Sequence, residues 1–204
     1  GSACKDIVDE ETPIQPESIY GVSKYAGELF IKQLLKNSET KYTIFRLTNN
    51  YGPGENLNYQ KKGMVSILCS FVWKKEPIKL KGSSERFRDF LFVEDCVEAL
   101  IKTYECEKTF GELYLLSTGE KIYERELISK ILLHFGKDEN YPKISLPGTP
   151  GDTPGFHADI SKIKRDLEWV PRHSLDDGLK KYVEWIKKVP VVEDISSYHP
   201  FLLD

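Results

Sequence analysis

Between Ser18 and Asn37 the apolar positions Ala26, Leu29, Phe30 and Leu34 fall at i, i+3, i+4 and i+8. That spacing gathers side chains on one face of an α-helix. Val22, Ile31 and Leu35 widen the face over much of the circumference, and such a helix expects neighbours on more than one side. Residues 3–17 are polar and proline-containing and read as loop. After the helix the period changes. YTIFRLTN (Tyr42–Asn49) is β-branched and aromatic and predicts a strand, which runs into the loop NYGPGENLN. Residues 63–75 predict a helix, 78–82 a short strand closed by Gly82, 88–93 a strand and 94–105 a helix. Residues 111–119 predict a strand with a turn at each end, and an amphipathic helix over 124–136 stops at Gly136. KISL (143–146) is a candidate last strand. Residues 159–169 and 175–188 predict two closing helices, and the stretch from Val189 onward has no period. Helices and strands alternate throughout, which argues an α/β chain with parallel pairing.

Composition narrows the class. The 204 residues are 40% hydrophobic and 30% charged, with a net charge of −3, an ordinary globular balance that gives no reason to expect a nucleic acid partner. The apolar runs are far shorter than the roughly 20 residues of a membrane span. GSACKDIVDEE offers no apolar core for a secretion signal, so none is expected, and Gly1-Ser2 reads as a cloning remnant. Cys4, Cys69, Cys96 and Cys106 fit no zinc or redox spacing, and a chain of this length needs no disulfide staples. Reduced thiols and a cytoplasmic location are expected. His134, His157, His173 and His199 are scattered, so no metal site is expected either.

Two features bear on chemistry. No G-x-G-x-x-G turn and no P-loop lysine pattern occurs, so the sequence holds no self-contained phosphate cradle. Tyr20 and Lys24, in SIYGVSKYAGE, stand at i and i+4 and share a helix face. A phenol is a weak acid at neutral pH, and a cation one helical turn away eases the loss of its proton. On spacing alone such a pair is more often chance or structural than catalytic.

The surroundings of that pair change its weight. TPIQPESIYGVSKYAGE strongly resembles the segment around the catalytic tyrosine of the extended short-chain dehydrogenases, the NAD-dependent nucleotide-sugar epimerase/dehydratase family. The resemblance continues in register. FRLTNNYGPG is similar to the family's R-x-x-N-x-Y-G-P segment, and RDFLFVEDCVEAL to its R-D-F/Y-x-x-V-x-D segment. GDTPGFHADISKIKRDLEWVPRHSLDDGL is similar to its A-D-x-S-K and L-x-W-x-P ending. Together these matches span residues 11–187, with a flavour nearest UDP-glucose 4-epimerase.

The resemblance implies a role for each matched residue. Tyr20 would be the acid/base that exchanges a proton with a sugar hydroxyl as hydride passes to or from NAD. Lys24 would hold the nicotinamide ribose and favour the tyrosinate. Asn49 would bond the diphosphate of a UDP-sugar and Arg88 would pair with it. Lys79 and Lys81 would flank the base, and Phe156 would shape the sugar pocket. Other readings stay open beside these. Asn49 could cap a turn, Arg88 could serve a local salt bridge with Asp89, and Lys79 and Lys81 could be the wet face of an edge strand. Arg46 reads as a structural ion-pair residue. Two departures stand out. Thr149 and Pro150 precede Gly151-Asp152 where many members have a phosphate-binding arginine, and Ser2 lies only 18 residues before Tyr20, too near to be the family's catalytic serine or threonine.

The family pattern also divides the chain. Residues 1–55 would be a residual Rossmann portion carrying the Tyr-Lys helix. Residues 56–190 would be mainly the small α/β substrate-binding domain, with segments returning to the Rossmann sheet, and 191–204 a tail. The expected fold is thus the C-terminal part of a Rossmann-type parallel sheet plus a substrate domain. The chain is expected to be a C-terminal fragment, inactive alone and with little affinity for NAD. The helix at 18–37 and the strand at 42–49 should then expose apolar surface and an open edge, and self-association is expected. A 4,6-dehydratase or reductase of the same family, or a non-catalytic substrate-lobe module, are the alternative functions.

Overall fold

Among the described residues five strand pairs, four of them parallel, carry the architecture. The structure, a computed structural model, describes residues 6–58, 63–83, 85–148 and 154–190. Cys4, Ser2, Thr149, Pro150, Gly151, Asp152 and His199, on which sequence expectations rest, lie outside the described residues. Strand β1 (Ile7–Val8) is followed by helix α1 (Ile19–Leu34), and β2 (Ile44–Leu47) by β3 (Asn49–Tyr51). Helix α2 (Met64–Trp73) leads to β4 (Ile78–Lys81), β5 (Phe87–Arg88) and β6 (Phe90–Phe92), then α3 (Val93–Tyr104). Strands β7 (Leu113–Leu116) and β8 (Ile122–Tyr123), helix α4 (Glu124–His134), β9 (Lys143–Leu146) and β10 (His157–Ala158) come next. Helices α5 (Ser161–Leu167) and α6 (Leu175–Ile186) close the order. The parallel pairs are β1 with β10, β2 with β7, β3 with β6 and β4 with β9, while β5 and β8 run antiparallel.

The α/β alternation matches the sequence pattern, with differences that trace to strand partners distant in sequence, and the two-residue strands β8 and β10 are also unmarked in it. The stretch read as loop contains β1, a two-residue strand that depends on β10, 150 positions away, and so has no local signature. The strand predicted over Tyr42–Asn49 breaks at Thr48. Before the break β2 pairs with β7, and after it β3 pairs with β6. The strand predicted over 88–93 breaks in the same way at Asp89, which separates β5 from β6. In both places an unbroken β-forming sequence changes partner because two different neighbours compete for its two halves.

Two apolar cores result. One collects Tyr51, Leu68, Ile78, Leu127, Leu179 and Tyr182 between α2, α4 and α6. The other collects Val8, Tyr114, Leu116, Ile163 and Trp169 around β7 and α5. Strand β6 stands between them. Successive strand residues face opposite sides, so Phe90 and Phe92 enter the first core and Leu91 the second. Helix α6 starts at a capping box in which Ser174 and Asp177 exchange side-chain and backbone bonds. It lies so close to β3 that a Cβ on Gly178 would collide with the Tyr51 hydroxyl. Glycine in a helix interior costs about 1 kcal/mol against alanine, which the packing here offsets.

Candidate active site

Helix α1 starts where Ser18 accepts a 3.0 Å hydrogen bond from the Gly21 amide, an N-cap that sets the first turn and with it Tyr20. Tyr20 is 71% exposed. Lys24 follows one turn later, its Nζ 5.4 Å from the centre of the Tyr20 ring. At the next turn Glu28 accepts from Arg46 Nε at 2.8 Å and Nη2 at 2.7 Å, a bidentate pair that fastens α1 to β2. Arg46 therefore stands in a structural ion pair.

A cavity of about 460 Å3 opens beside this helix face. It is within the range of small-molecule sites, roughly 300–1,000 Å3. Tyr20 and Lys24 form one wall, Phe45 to Thr48 a second, and Phe156 closes on it from the segment before β10. The structure thus brings together Tyr20, Lys24 and Phe156, residues up to 136 positions apart in sequence. It also places Thr12 and Ser18 in the cavity wall, which the periodic pattern does not mark. Their only local signal is turn chemistry. Thr12 donates to Asp9 Oδ1 at 2.6 Å and accepts from the Asp9 amide at 3.0 Å, and Ser18 is the helix cap.

The other expected residues lie apart from that cavity. Asn49 Nδ2 donates to the Asp89 carbonyl at 3.0 Å, one residue beyond Thr48 in the wall. Arg88 Nη1 donates to the carbonyls of Phe87, at 2.7 Å, and Pro154, at 3.2 Å. Gly155 follows Pro154 with φ of +135°, and a Cβ there would strike the Phe87 carbonyl, so only glycine lets this segment lie over Arg88. The Asp89 carboxylate turns to a different set of partners. Fully buried, it accepts from the Thr118 amide and hydroxyl at 3.0 and 2.6 Å, the Gly119 amide at 2.9 Å and the Ala158 amide at 3.1 Å. One carboxylate thereby connects the β5–β6 break, the turn after β7 and β10, which Phe156 directly precedes. Lys79 and Lys81 are exposed on β4, with Lys79 Nζ 5.6 Å from the Phe71 ring.

The residues present fit one end of a dinucleotide. Tyr20 and Lys24 set a phenol and an ammonium side by side, as the hydroxyls of a ribose require, and the cavity next to them is open to a ring. The phosphates have no comparable seat in this sequence, since no glycine-rich turn opens a helix beside the pair. Among the described residues no group of three or more His, Cys, Asp or Glu could hold a metal ion, and no helix is long and apolar enough to cross a membrane.

Comparison with known proteins places the chain in a family. The dTDP-L-rhamnose 4-epimerase of Burkholderia thailandensis is 28% identical over 177 residues, 87% of this chain and 48% of the relative. The dTDP-glucose 4,6-dehydratase of Streptomyces niveus is 28% identical over 187 residues, 92% of this chain and 54% of that protein. The chain spans about half the length of the curated relatives it matches. Among solved structures, the UDP-glucuronic acid 4-epimerase of Bacillus cereus, in complex with UDP-glucuronic acid and NAD, superposes with a TM-score of 0.81 at 28% identity. That match covers 91% of this chain and 58% of the other. The family described as GDP-mannose 4,6 dehydratase matches residues 1–182. A match over that much of the sequence, joined to the shared α/β fold, makes the chain a member of the GDP-mannose 4,6 dehydratase family, among nucleotide-sugar epimerases and dehydratases.

Proposed function

We propose that the chain supplies the acid/base tyrosine and the nucleotide-sugar side of an NAD-dependent 4-epimerase resembling UDP-glucose 4-epimerase. The observation that carries this reading is the exposed Tyr20 beside Lys24 on the wall of a cavity of small-molecule size. In it Tyr20 Oη takes the proton from a sugar hydroxyl and returns it, and Lys24 holds the ribose hydroxyls and stabilises the phenolate. NAD, when bound, supplies the hydride acceptor. Asn49 and Arg88 hold the diphosphate of a UDP-sugar, Lys79 and Lys81 flank its base, and Phe156 packs on the sugar. Arg88 already lies along a carbonyl-lined bed that orients its guanidinium. A 4,6-dehydratase or reductase would use the same tyrosine. Relatives of both kinds support the shared tyrosine chemistry, and the 4-epimerase is chosen on the likeness of the sequence motifs to UDP-glucose 4-epimerase. Free thiols at Cys69 and Cys96 go with a cytoplasmic location.

The reading has a direct test. In a full-length protein containing this sequence, Tyr20→Phe should lower turnover of UDP-glucose by about 10²–10⁴-fold, the usual contribution of a positioned acid/base. The product separates the choices, since a C4 epimer supports the epimerase and a 4-keto-6-deoxy sugar the dehydratase. The 204-residue chain alone should show no heat of NAD binding in calorimetry, and micromolar binding would overturn the expectation that it is inactive by itself. We also infer that the isolated chain self-associates, through the apolar surface that α1 exposes.

A further inference from the structure

Besides Tyr20, the wall of the cavity carries the hydroxyls of Thr12, Ser18 and Thr48. Thr12 spends its hydrogen on Asp9 Oδ1, and Ser18 stands exposed as the cap that accepts from the Gly21 amide. Thr48 differs from both. Strand residues two apart face the same side, so its side chain follows that of Arg46 towards α1. Its backbone asks nothing of that side chain. The Thr48 amide donates to the Leu116 carbonyl at 3.3 Å, and its carbonyl accepts from the Asn50 amide at 3.2 Å. The hydroxyl therefore does no turn chemistry. Instead Thr48 Oγ1 lies 2.5 Å from Ser117 Oγ. Ser117 is fully buried, and among the described residues Thr48 is the one partner of its hydroxyl. That fixes the direction of the bond. A hydroxyl has one hydrogen and two lone pairs, and a buried hydrogen without an acceptor is tolerated less than a spare lone pair. If Thr48 donated, the Ser117 hydrogen would be orphaned inside the protein. Ser117 therefore donates and Thr48 accepts. The Thr48 hydrogen is left over, and among the described residues no acceptor takes it.

We propose that Thr48 is a ligand-binding residue, whose hydroxyl, oriented by Ser117, donates a hydrogen bond to an oxygen of the ring seated beside Tyr20. This deepens the function proposed above and rests on it. The acceptor is a neutral oxygen. Phosphate is better served by cations, which bond it about twice as strongly as a neutral donor does, whereas a carbonyl or a sugar hydroxyl is matched by a single O–H. Two rings carry such an oxygen, the sugar of the substrate and the nicotinamide with its carboxamide carbonyl. The donor is prepared in advance. Threonine is stiff at its first side-chain torsion, and the bond from Ser117 restricts the hydroxyl further, so little freedom is lost when a ligand arrives. No proton leaves Thr48. Its part is to hold the ring in one orientation while Tyr20 exchanges the proton.

The experiment is calorimetric titration of a full-length protein containing this sequence with NAD, ADP-ribose, UDP-glucose and UDP. ADP-ribose lacks the nicotinamide and UDP lacks the sugar. Thr48→Val, which keeps the shape and removes the hydroxyl, should weaken NAD or UDP-glucose by about 3–10-fold, the worth of one neutral hydrogen bond. The matching shortened ligand should bind as to the parent, and the pair that separates names the ring. Thr48→Ser should restore the affinity. Ser117→Ala removes the same internal bond but keeps the hydroxyl in the cavity, and it should lose less than Thr48→Val. Because Thr48→Val orphans the Ser117 hydrogen, the double variant Thr48→Val/Ser117→Ala, which removes both groups, decides if the single one does not fold. Unchanged affinity for NAD and UDP-glucose overturns the proposal. So does a loss shared equally by the shortened ligands, or a loss in Ser117→Ala as large as in Thr48→Val, since either marks a structural role alone. Full turnover in Tyr20→Phe overturns the acid/base reading and leaves the binding comparisons to decide Thr48. A parent that binds neither NAD nor UDP-glucose overturns both.

Discussion

Asp89 is the residue on which most of the site's framework converges. Its carboxylate receives four hydrogen bonds from two segments, and its carbonyl receives Asn49. Removing it leaves three amides and a hydroxyl without their acceptor inside the protein, at about 1–3 kcal/mol for each buried orphan that water does not reach. Asp89→Ala should therefore destabilise the chain by about 3 kcal/mol or more, read as a fall in the urea midpoint. Asp89→Asn should recover only part, because its amide group offers one acceptor where two were used. Little of this was legible. The sequence marked Arg88 and gave Asp89 only as its neighbour and possible ion-pair partner, whereas the structure sends the carboxylate to amides that meet only after folding. Ser174 and Asp177, by contrast, form a cap within three residues, the range over which sequence pattern is informative.

At the scale of elements, α1 is the outlier. It carries the expected period, yet no residue of it is buried, and the Arg46–Glu28 pair is a main tether to the rest of the chain. Glu28→Ala removes two charge-assisted bonds, worth about 1.5–3 kcal/mol each at most and less here because both groups are partly exposed. The expected outcome is local. Amide exchange across α1 should speed up severalfold, while amides in α4 and α6 keep their protection. Equal acceleration in all three helices would show that α1 is held in some other way. The width of the apolar stripe on α1 was legible, but among the described residues no neighbour buries it, and no period tells which neighbours it would meet. For the same reason the breaks at Thr48 and Asp89 were hidden. Each strand half is as β-prone as the other, and only the competing partners divide them, β7 and β6 at Thr48 and β8 and β3 at Asp89. In the candidate site, Tyr20 and Lys24 were readable as a pair from their spacing, while their meeting with Phe156 is a product of the fold.

For the whole molecule, the two cores share a sensitivity to base. Burial pushes the phenols of Tyr114, Tyr182 and Tyr51 well above their ordinary value, with Asp166, Glu55 and Asp95 respectively adding charge repulsion. A folded state that keeps these protons is stabilised below the unfolded value near 10 and loses that advantage as pH rises beyond it. Circular dichroism and tyrosinate absorbance followed together above pH 10 should show these three phenols ionising only as the structure is lost. Tyr114 belongs to one core and Tyr51 and Tyr182 to the other, so both should fail in the same pH interval. The reason is β6, whose alternate side chains serve both. A strand that forms a wall of two rooms cannot be withdrawn from one and left standing in the other. In a scanning calorimeter the chain should absorb its heat in one peak, with the van't Hoff enthalpy equal to the measured enthalpy per cooperative unit.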